Sequence, residues 1–285
     1  MRTNLKLNFT KMHGCGNDYI YINCFDAQVN NLPELSMMLC DRRKYIGGDG
    51  IITIEKSQVA DAKMRIFNKD GSEGKMCGNG IRCVAKYLYD NKICNNMNNI
   101  KIETLSGVKY LDILENNKNE SVVKVNMGQA SLNPKDIPVL INKEKIVDEL
   151  ITIDDNKFYI TCVSVGNPHC VIFVDEVCSI DLNKIAPKLS SNIIFPEGIN
   201  IEFVSIIDKN NISMRVWERG SGETLSCGSG SCASVVAAVE NNYCDRNTDI
   251  TVHLRGGSLK INYDENSVVY MTGNATKVFE GVIEI

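Results

Sequence analysis

Cys77-Gly78-Asn79-Gly80 is followed, 150 residues later, by Cys227-Gly228-Ser229-Gly230. The same offset carries Met64-Arg65-Ile66-Phe67-Asn68 onto Met214-Arg215-Val216-Trp217-Glu218, and Gly16-Asn17 onto Gly166-Asn167. It pairs Gly48 with Gly198, Glu73 with Glu223 and Gly107 with Gly257. It also sets Leu32, Leu35 and Leu39 against Leu182, Ile185 and Leu189. A series of matches at one spacing is the mark of a duplicated unit. The chain reads as two copies of one module.

Working outward from the repeated motif, each copy gives the same pattern. Ile100-Lys101-Ile102-Glu103-Thr104 and Ile250-Thr251-Val252-His253-Leu254 alternate as strands do. Leu32, Leu35, Met38 and Leu39 have helical spacing, and Pro33 is tolerated in a first turn, where its missing N–H has no partner to lose. A second helix follows each Cys-Gly-x-Gly. In the first copy Ile81, Val84, Ala85 and Leu88 form an apolar stripe. In the second, Ala233 to Val239 is apolar on almost every face, so that helix is expected to be wholly buried. The fold class is therefore α+β: two similar domains, each a mostly antiparallel sheet wrapped around a central helix. The expected N-terminal domain is residues 1–126 with 274–285, and the C-terminal domain is residues 127–273. A polar connector is expected over roughly Asn133 to Lys157, and the tail Lys277 to Ile285 is expected to return as a strand to the first domain.

Composition narrows the function. The 285 residues are ample for two cores, and 44% hydrophobic with 23% charged residues fits an ordinary globular protein. A net charge of −4, with Lys and Arg scattered, argues against a nucleic-acid partner. No apolar run is long enough for a signal peptide or a membrane span, which makes the cytoplasm the expected location. Twelve cysteines in such a chain read as reduced thiols, mostly small buried hydrophobes. Cys77/Cys83 and Cys227/Cys232 lack the C-x-x-C spacing that brings two thiolates onto one zinc.

Cys77 and Cys227 are different from the other ten, because their position, glycines and following helix are all duplicated. A helix N-terminus offers unsatisfied N–H groups and a partial positive charge, which binds carboxylates and is expected to lower a thiol pKa from about 8.5 toward neutrality. Two such thiols on opposite faces of one α-carbon would suffice for stereoinversion. One takes the proton, the other supplies one, and backbone donors stabilise the charge that spreads onto the carboxylate. Gly228, Gly230 and Ala233 also satisfy a dinucleotide-binding pattern, but no βαβ series surrounds them.

At these residues the chain resembles the diaminopimelate epimerase family over nearly its whole length. The resemblance is carried by Gly14-Cys15-Gly16-Asn17-Asp18, by Phe67-Asn68-Lys69-Asp70-Gly71-Ser72-Glu73 and by Met76-Cys77-Gly78-Asn79-Gly80-Ile81-Arg82-Cys83. In the second half it is carried by Gly166-Asn167-Pro168-His169, Gly198-Ile199-Asn200-Ile201-Glu202-Phe203, Glu218-Arg219-Gly220-Ser221-Gly222-Glu223-Thr224 and Cys227-Gly228-Ser229-Gly230-Ser231-Cys232. It implies interconversion of LL- and meso-2,6-diaminopimelate on the route to lysine, without pyridoxal phosphate or metal, by a homodimer. It implies Cys77 and Cys227 as catalytic base and acid, with His169 and Glu218 tuning the thiols and Glu218 also binding substrate by accepting a hydrogen bond from its ammonium. Asn17, Gly78, Asn79, Gly228 and Ser229 match positions holding the reacting end of the substrate. Asn68, Asn167, Asn200 and Arg219 match positions recognising the distal end. Phe279 stands where the family's dimer-linked aromatic is familiarly a tyrosine, and no substrate contact is assigned to Gly50.

Two other readings stand beside this one. A related racemase of the proline or histidine type uses the same two-thiol logic, but a first motif of the proline type reads Cys-Gly-His where this chain has Cys77-Gly78-Asn79. A non-catalytic amino-acid binder would have no use for two cysteines at equivalent helix ends. Arg219 is the discriminator among substrates, since it suits a second carboxylate.

Overall fold

The computed structural model describes residues 6–285. In the first half, β1 (Lys6–Gly14) and β2 (Asn17–Asn23) precede α1 (Leu32–Leu39), β3 (Gly50–Glu55), β4 (Ala62–Asn68) and β5 (Glu73–Gly74). Then come α2 (Gly78–Asp90), β6 (Ile100–Thr104), β7 (Gly107–Asn116) and β8 (Glu120–Gln129). In the second half, β9 (Glu149–Ile153), β10 (Asn156–Ser164) and β11 (Pro168–Phe173) lead to α3 (Leu182–Ser190), β12 (Asn200–Asp208), β13 (Asn211–Glu218) and β14 (Gly222–Thr224). The chain closes with α4 (Gly228–Glu240), β15 (Asp249–Leu254), β16 (Gly257–Tyr263) and β17 (Val268–Glu284). Two compact units result, Met1–Val125 with Gly273–Ile285, and Asn126–Thr272.

In the first unit β1 turns into β2 through Cys15 and Gly16, both at positive φ (52° and 77°). That is the backbone a two-residue hairpin demands when its twist must match the strands it joins. The C-terminal part of β17 pairs antiparallel with β1, from Lys6 opposite Glu284 to His13 opposite Thr276. β2 runs parallel to β3, with Tyr19 opposite Gly50, and β3 is antiparallel to β4. β4 then pairs parallel with β6. α2 lies within this unit, with Ile81, Cys83, Val84, Ala85 and Leu88 fully buried. Its buried Arg82 is held by the carbonyls of Gly78 and Asn274, both at 3.2 Å, so its charge is not left unpaired.

The second unit repeats the plan. β11 runs parallel to β12, with His169 opposite Asn200, β12 is antiparallel to β13, and β13 pairs parallel with β15. α4 matches α2 residue for residue at the 150-residue offset. Its small side chains let strands approach on every side, and Cys232 to Ala238 are all fully buried. In both units antiparallel pairs predominate, as the alternating patterns require.

The connector differs from the sequence expectation. Ile137, Val139 and Ile146 are buried in the second unit's core, and β9 pairs with β10 across a turn of Asp154 and Asp155, both at positive φ. Polar residues outnumber the apolar ones there, which masks a segment tied down by a few deep contacts. Among the described residues no helix is long and apolar enough to cross a membrane.

Gly50 is fixed by close approach. A Cβ there would stand 2.3 Å from the Phe67 carbonyl oxygen and 2.9 Å from the Tyr19 ring. Because the first of these is backbone in a paired strand, Gly50→Ala is expected to cost about 1–3 kcal/mol. Urea denaturation measures it, and an unchanged midpoint would mean that β3 and β4 separate freely.

Candidate active site

The two repeated cysteines are the N-cap residues of α2 and α4. Cys77 has φ −129° and ψ 117°, and Cys227 has φ −128° and ψ 115°. Each sulfur accepts a hydrogen bond from the third backbone N–H of its helix, Gly80 or Gly230, at 3.3 Å. An N-cap is ordinarily Ser, Thr, Asp or Asn, whose oxygens satisfy these donors better than a thiol does. Sulfur at this position twice in one chain is a chemical choice rather than a stabilising one.

Around Cys77, the thiol donates to Asn17 Oδ1 at 3.3 Å. Asn17 is oriented by Asp49, whose carboxylate accepts from Asn17 Nδ2 at 2.8 Å. Asp49 in turn shares Arg42 with Asp18, and Lys11 stands 2.7 Å from Asp18. Burial pushes the Asp18 carboxyl up, but the hydrogen bonds and charges of Arg42 and Lys11 outweigh it and hold it below the usual range. Gly78 and Asn79 open α2 beside the cap, both buried. Tyr19 is buried as well, and its hydroxyl is driven far above the usual value, by burial first and then by the charge and hydrogen bond of Cys77.

Around Cys227, Ser229 Oγ is 3.5 Å from the sulfur and accepts from Asn167 Nδ2 at 3.2 Å. His169 is fully buried, with Nε2 3.0 Å from Asn167 Oδ1 and Nδ1 2.7 Å from Glu202 Oε1. Glu218 accepts from Thr224 Oγ1 at 2.6 Å, and burial raises its carboxyl above the usual range. The expectation of a lowered thiol pKa fails at Cys227. Burial, then the carboxylates of Glu218 and Glu202, push this thiol well up, and the donors at Ser229 and Gly230 offset only part of that.

Asn200 Nδ2 donates to the Pro168 carbonyl at 2.9 Å, and its Oδ1 accepts the Arg219 backbone N–H at 2.9 Å. Arg219 is exposed and donates to the Glu197 carbonyl at 2.6 Å. It lines an open pocket of about 500 Å³ with Phe195, Gly198 and Trp217. Asn167 belongs instead to the Cys227 cluster, and Asn68 closes its own turn by donating to Ser72 Oγ at 3.0 Å. Sequence reasoning assigned no role to Asp49, Tyr19 or Glu202. The repeat holds a signal for one of them, since Tyr19 lies at the position equivalent to His169.

This fold is shared with solved structures. A phenazine biosynthesis protein of the PhzF family from Bacillus anthracis superposes with a TM-score of 0.70 over 99% of this chain and 100% of its own, at 16% identity. The fold and the twin cysteine caps thus define a duplicated α+β protein of two similar units. A family model for diaminopimelate epimerase matches residues 9–133 and 161–278. A diaminopimelate epimerase of Acetivibrio thermocellus is 50% identical, covering 98% of this chain and 99% of its own. One of Agathobacter rectalis is 47% identical over 98% and 100%. The chain belongs to the diaminopimelate epimerase family.

A thiol raised by burial and neighbouring carboxylates alkylates slowly, because only the thiolate reacts. In the free protein Cys227 is therefore expected to react with iodoacetamide at neutral pH several-fold more slowly than exposed Cys178. Glu218→Gln removes one raising charge and is expected to speed the reaction at Cys227. Peptide mass analysis over a pH series measures both, and an unchanged or slower rate in the variant would refute the charge effect.

Proposed function

We propose that the protein interconverts LL- and meso-2,6-diaminopimelate by two-base proton transfer, with Cys77 and Cys227 as the transferring groups. The observation that carries this reading is the pair of cysteine N-caps with matching backbone angles at the heads of repeat-related helices. Stereoinversion at an α-carbon needs a base on one face and an acid on the other. One sulfur of each module meets that need, and reversing the reaction exchanges their roles. The amide groups at the starts of α2 and α4 are suited to the substrate α-carboxylate, where charge accumulates as the proton leaves.

The two thiols start from different settings. Cys227, raised by its surroundings, is the proton donor. Cys77 is the base, and taking the substrate proton requires that its own proton, now given to Asn17, first be released. Asn17, Gly78, Asn79, Gly228 and Ser229 hold the reacting end, while His169 and Glu218 adjust Cys227. Arg219, with Asn68, Asn167 and Asn200, reads the distal amino-acid end, its guanidinium suited to a bidentate carboxylate. The reaction feeds lysine formation. Twelve free cysteines suit a reducing cytoplasm. A homodimer through β17 is supported by its exposed Val278, Phe279 and Val282.

Incubation with LL-diaminopimelate, proline and histidine in deuterated water tests the reading. Inversion with α-deuteration is expected for diaminopimelate alone, because a shorter substrate leaves the distal polar groups unmatched, at about 1–3 kcal/mol each. Equal turnover of proline or histidine would overturn the specificity. Cys77→Ala and Cys227→Ala are each expected to lower inversion on the order of 10³-fold or more, since the two thiols act as a unit. Near-normal inversion by either variant would sink the two-base assignment.

A further inference from the structure

Glu202 and His169 are both fully buried, their bond is 2.7 Å, and Glu202 Oε2 has no hydrogen-bond partner. Burying such a pair costs more than burying apolar residues of similar volume. The chain itself shows that the fold does not require it. At the equivalent positions of the first copy stand Tyr19 and Ile52, also buried, around an N-cap of the same geometry. A Cβ on Gly80 would meet Ile52 Cδ1 at 2.6 Å, and a Cβ on Gly230 would meet Glu202 Oε1 at 2.7 Å. The carboxylate thus lies against the α4 cap where the first copy places a methyl group.

Hydrogen-bond valence defines what the pair does. Asn167 Oδ1 only accepts, so the His169 Nε2 facing it carries a proton. One further proton lies between Nδ1 and Glu202 Oε1. With its oxygen taken by His169, Asn167 turns its NH2 to Ser229 Oγ at 3.2 Å. Ser229 Oγ then accepts from Asn167, and its own O–H is left to donate to Cys227 Sγ, 3.5 Å away. The sulfur consequently faces two donors, Ser229 and Gly230. Glu218 and Cys170 are further ionisable groups against this cluster.

We propose that Glu202 is a positioning residue for proton transfer at Cys227, acting through a relay of His169, Asn167 and Ser229 that aims the Ser229 hydroxyl at the sulfur. The inference rests on the reading of Cys227 as a transferring group and adds a residue to which no role was given. Without the carboxylate the imidazole is unanchored, Asn167 is free to turn over, and Cys227 loses one donor.

The test compares Glu202→Ile, the residue of the first copy, with Glu202→Gln, whose amide N–H can still bond Nδ1. For Glu202→Ile we expect kcat on diaminopimelate to fall at least tenfold, with KM within threefold and the melting temperature close to that of the unsubstituted protein. Glu202→Gln should recover kcat to within about threefold of the unsubstituted protein. Unchanged kcat in Glu202→Ile overturns the proposal. A Glu202→Gln variant as slow as Glu202→Ile also overturns it, because charge rather than the hydrogen bond would then matter. If the unsubstituted protein fails to invert diaminopimelate, the functional reading itself falls. Inversion by the unsubstituted protein together with full activity in Glu202→Ile removes only the relay.

Discussion

A single hydrogen bond, from the third N–H of a helix to the sulfur of its N-cap cysteine, organises each half of this molecule. It fixes the side chain at the point where the backbone donors of the helix are unsatisfied and the dipole is positive. Gly80 and Gly230 are glycines for this reason, since a Cβ at either would press on the residue packed behind the cap. The sheet of each unit then supports a buried helix whose start is held while its remaining turns supply the core.

The parallel strand pairs decide what surrounds each cap. β2 beside β3 brings Asp18 and Asn17 to Asp49, and β11 beside β12 brings His169 to the strand that carries Glu202. Crossovers of this kind join residues roughly thirty positions apart in sequence. They give each cysteine neighbours that its own motif does not contain.

The two copies keep one backbone and differ in chemistry. In the first, Asn17 accepts directly from the thiol and an ionic network stands behind it. In the second, the equivalent Asn167 reaches the sulfur through Ser229 and is itself held by a buried imidazole and carboxylate. Duplication supplied symmetric scaffolding. Tyr19 and Ile52 stand in the first copy where His169 and Glu202 stand in the second, so the two thiols have unlike surroundings.

The constant spacing of 150 residues, the glycines after each cysteine and the helical stripes were enough to read the duplication, the central helices and the cysteine pair from sequence, because these are local and periodic signals. Family motifs added Asn17, Asn167, His169, Glu218 and Arg219. The burial of Ile137 and Ile146 in the connector was not legible, since a few deep contacts leave no periodicity. The raised Cys227 thiol was not legible either. The sequence shows the helix end, whose local effect lowers a thiol, but desolvation and two carboxylates from distant strands act more strongly. The bond between Glu202 and His169 likewise exists only because the register of β11 against β12 places His169 opposite Asn200. Strand register is set by long-range packing, so the partners of these buried charges were decided by tertiary structure alone.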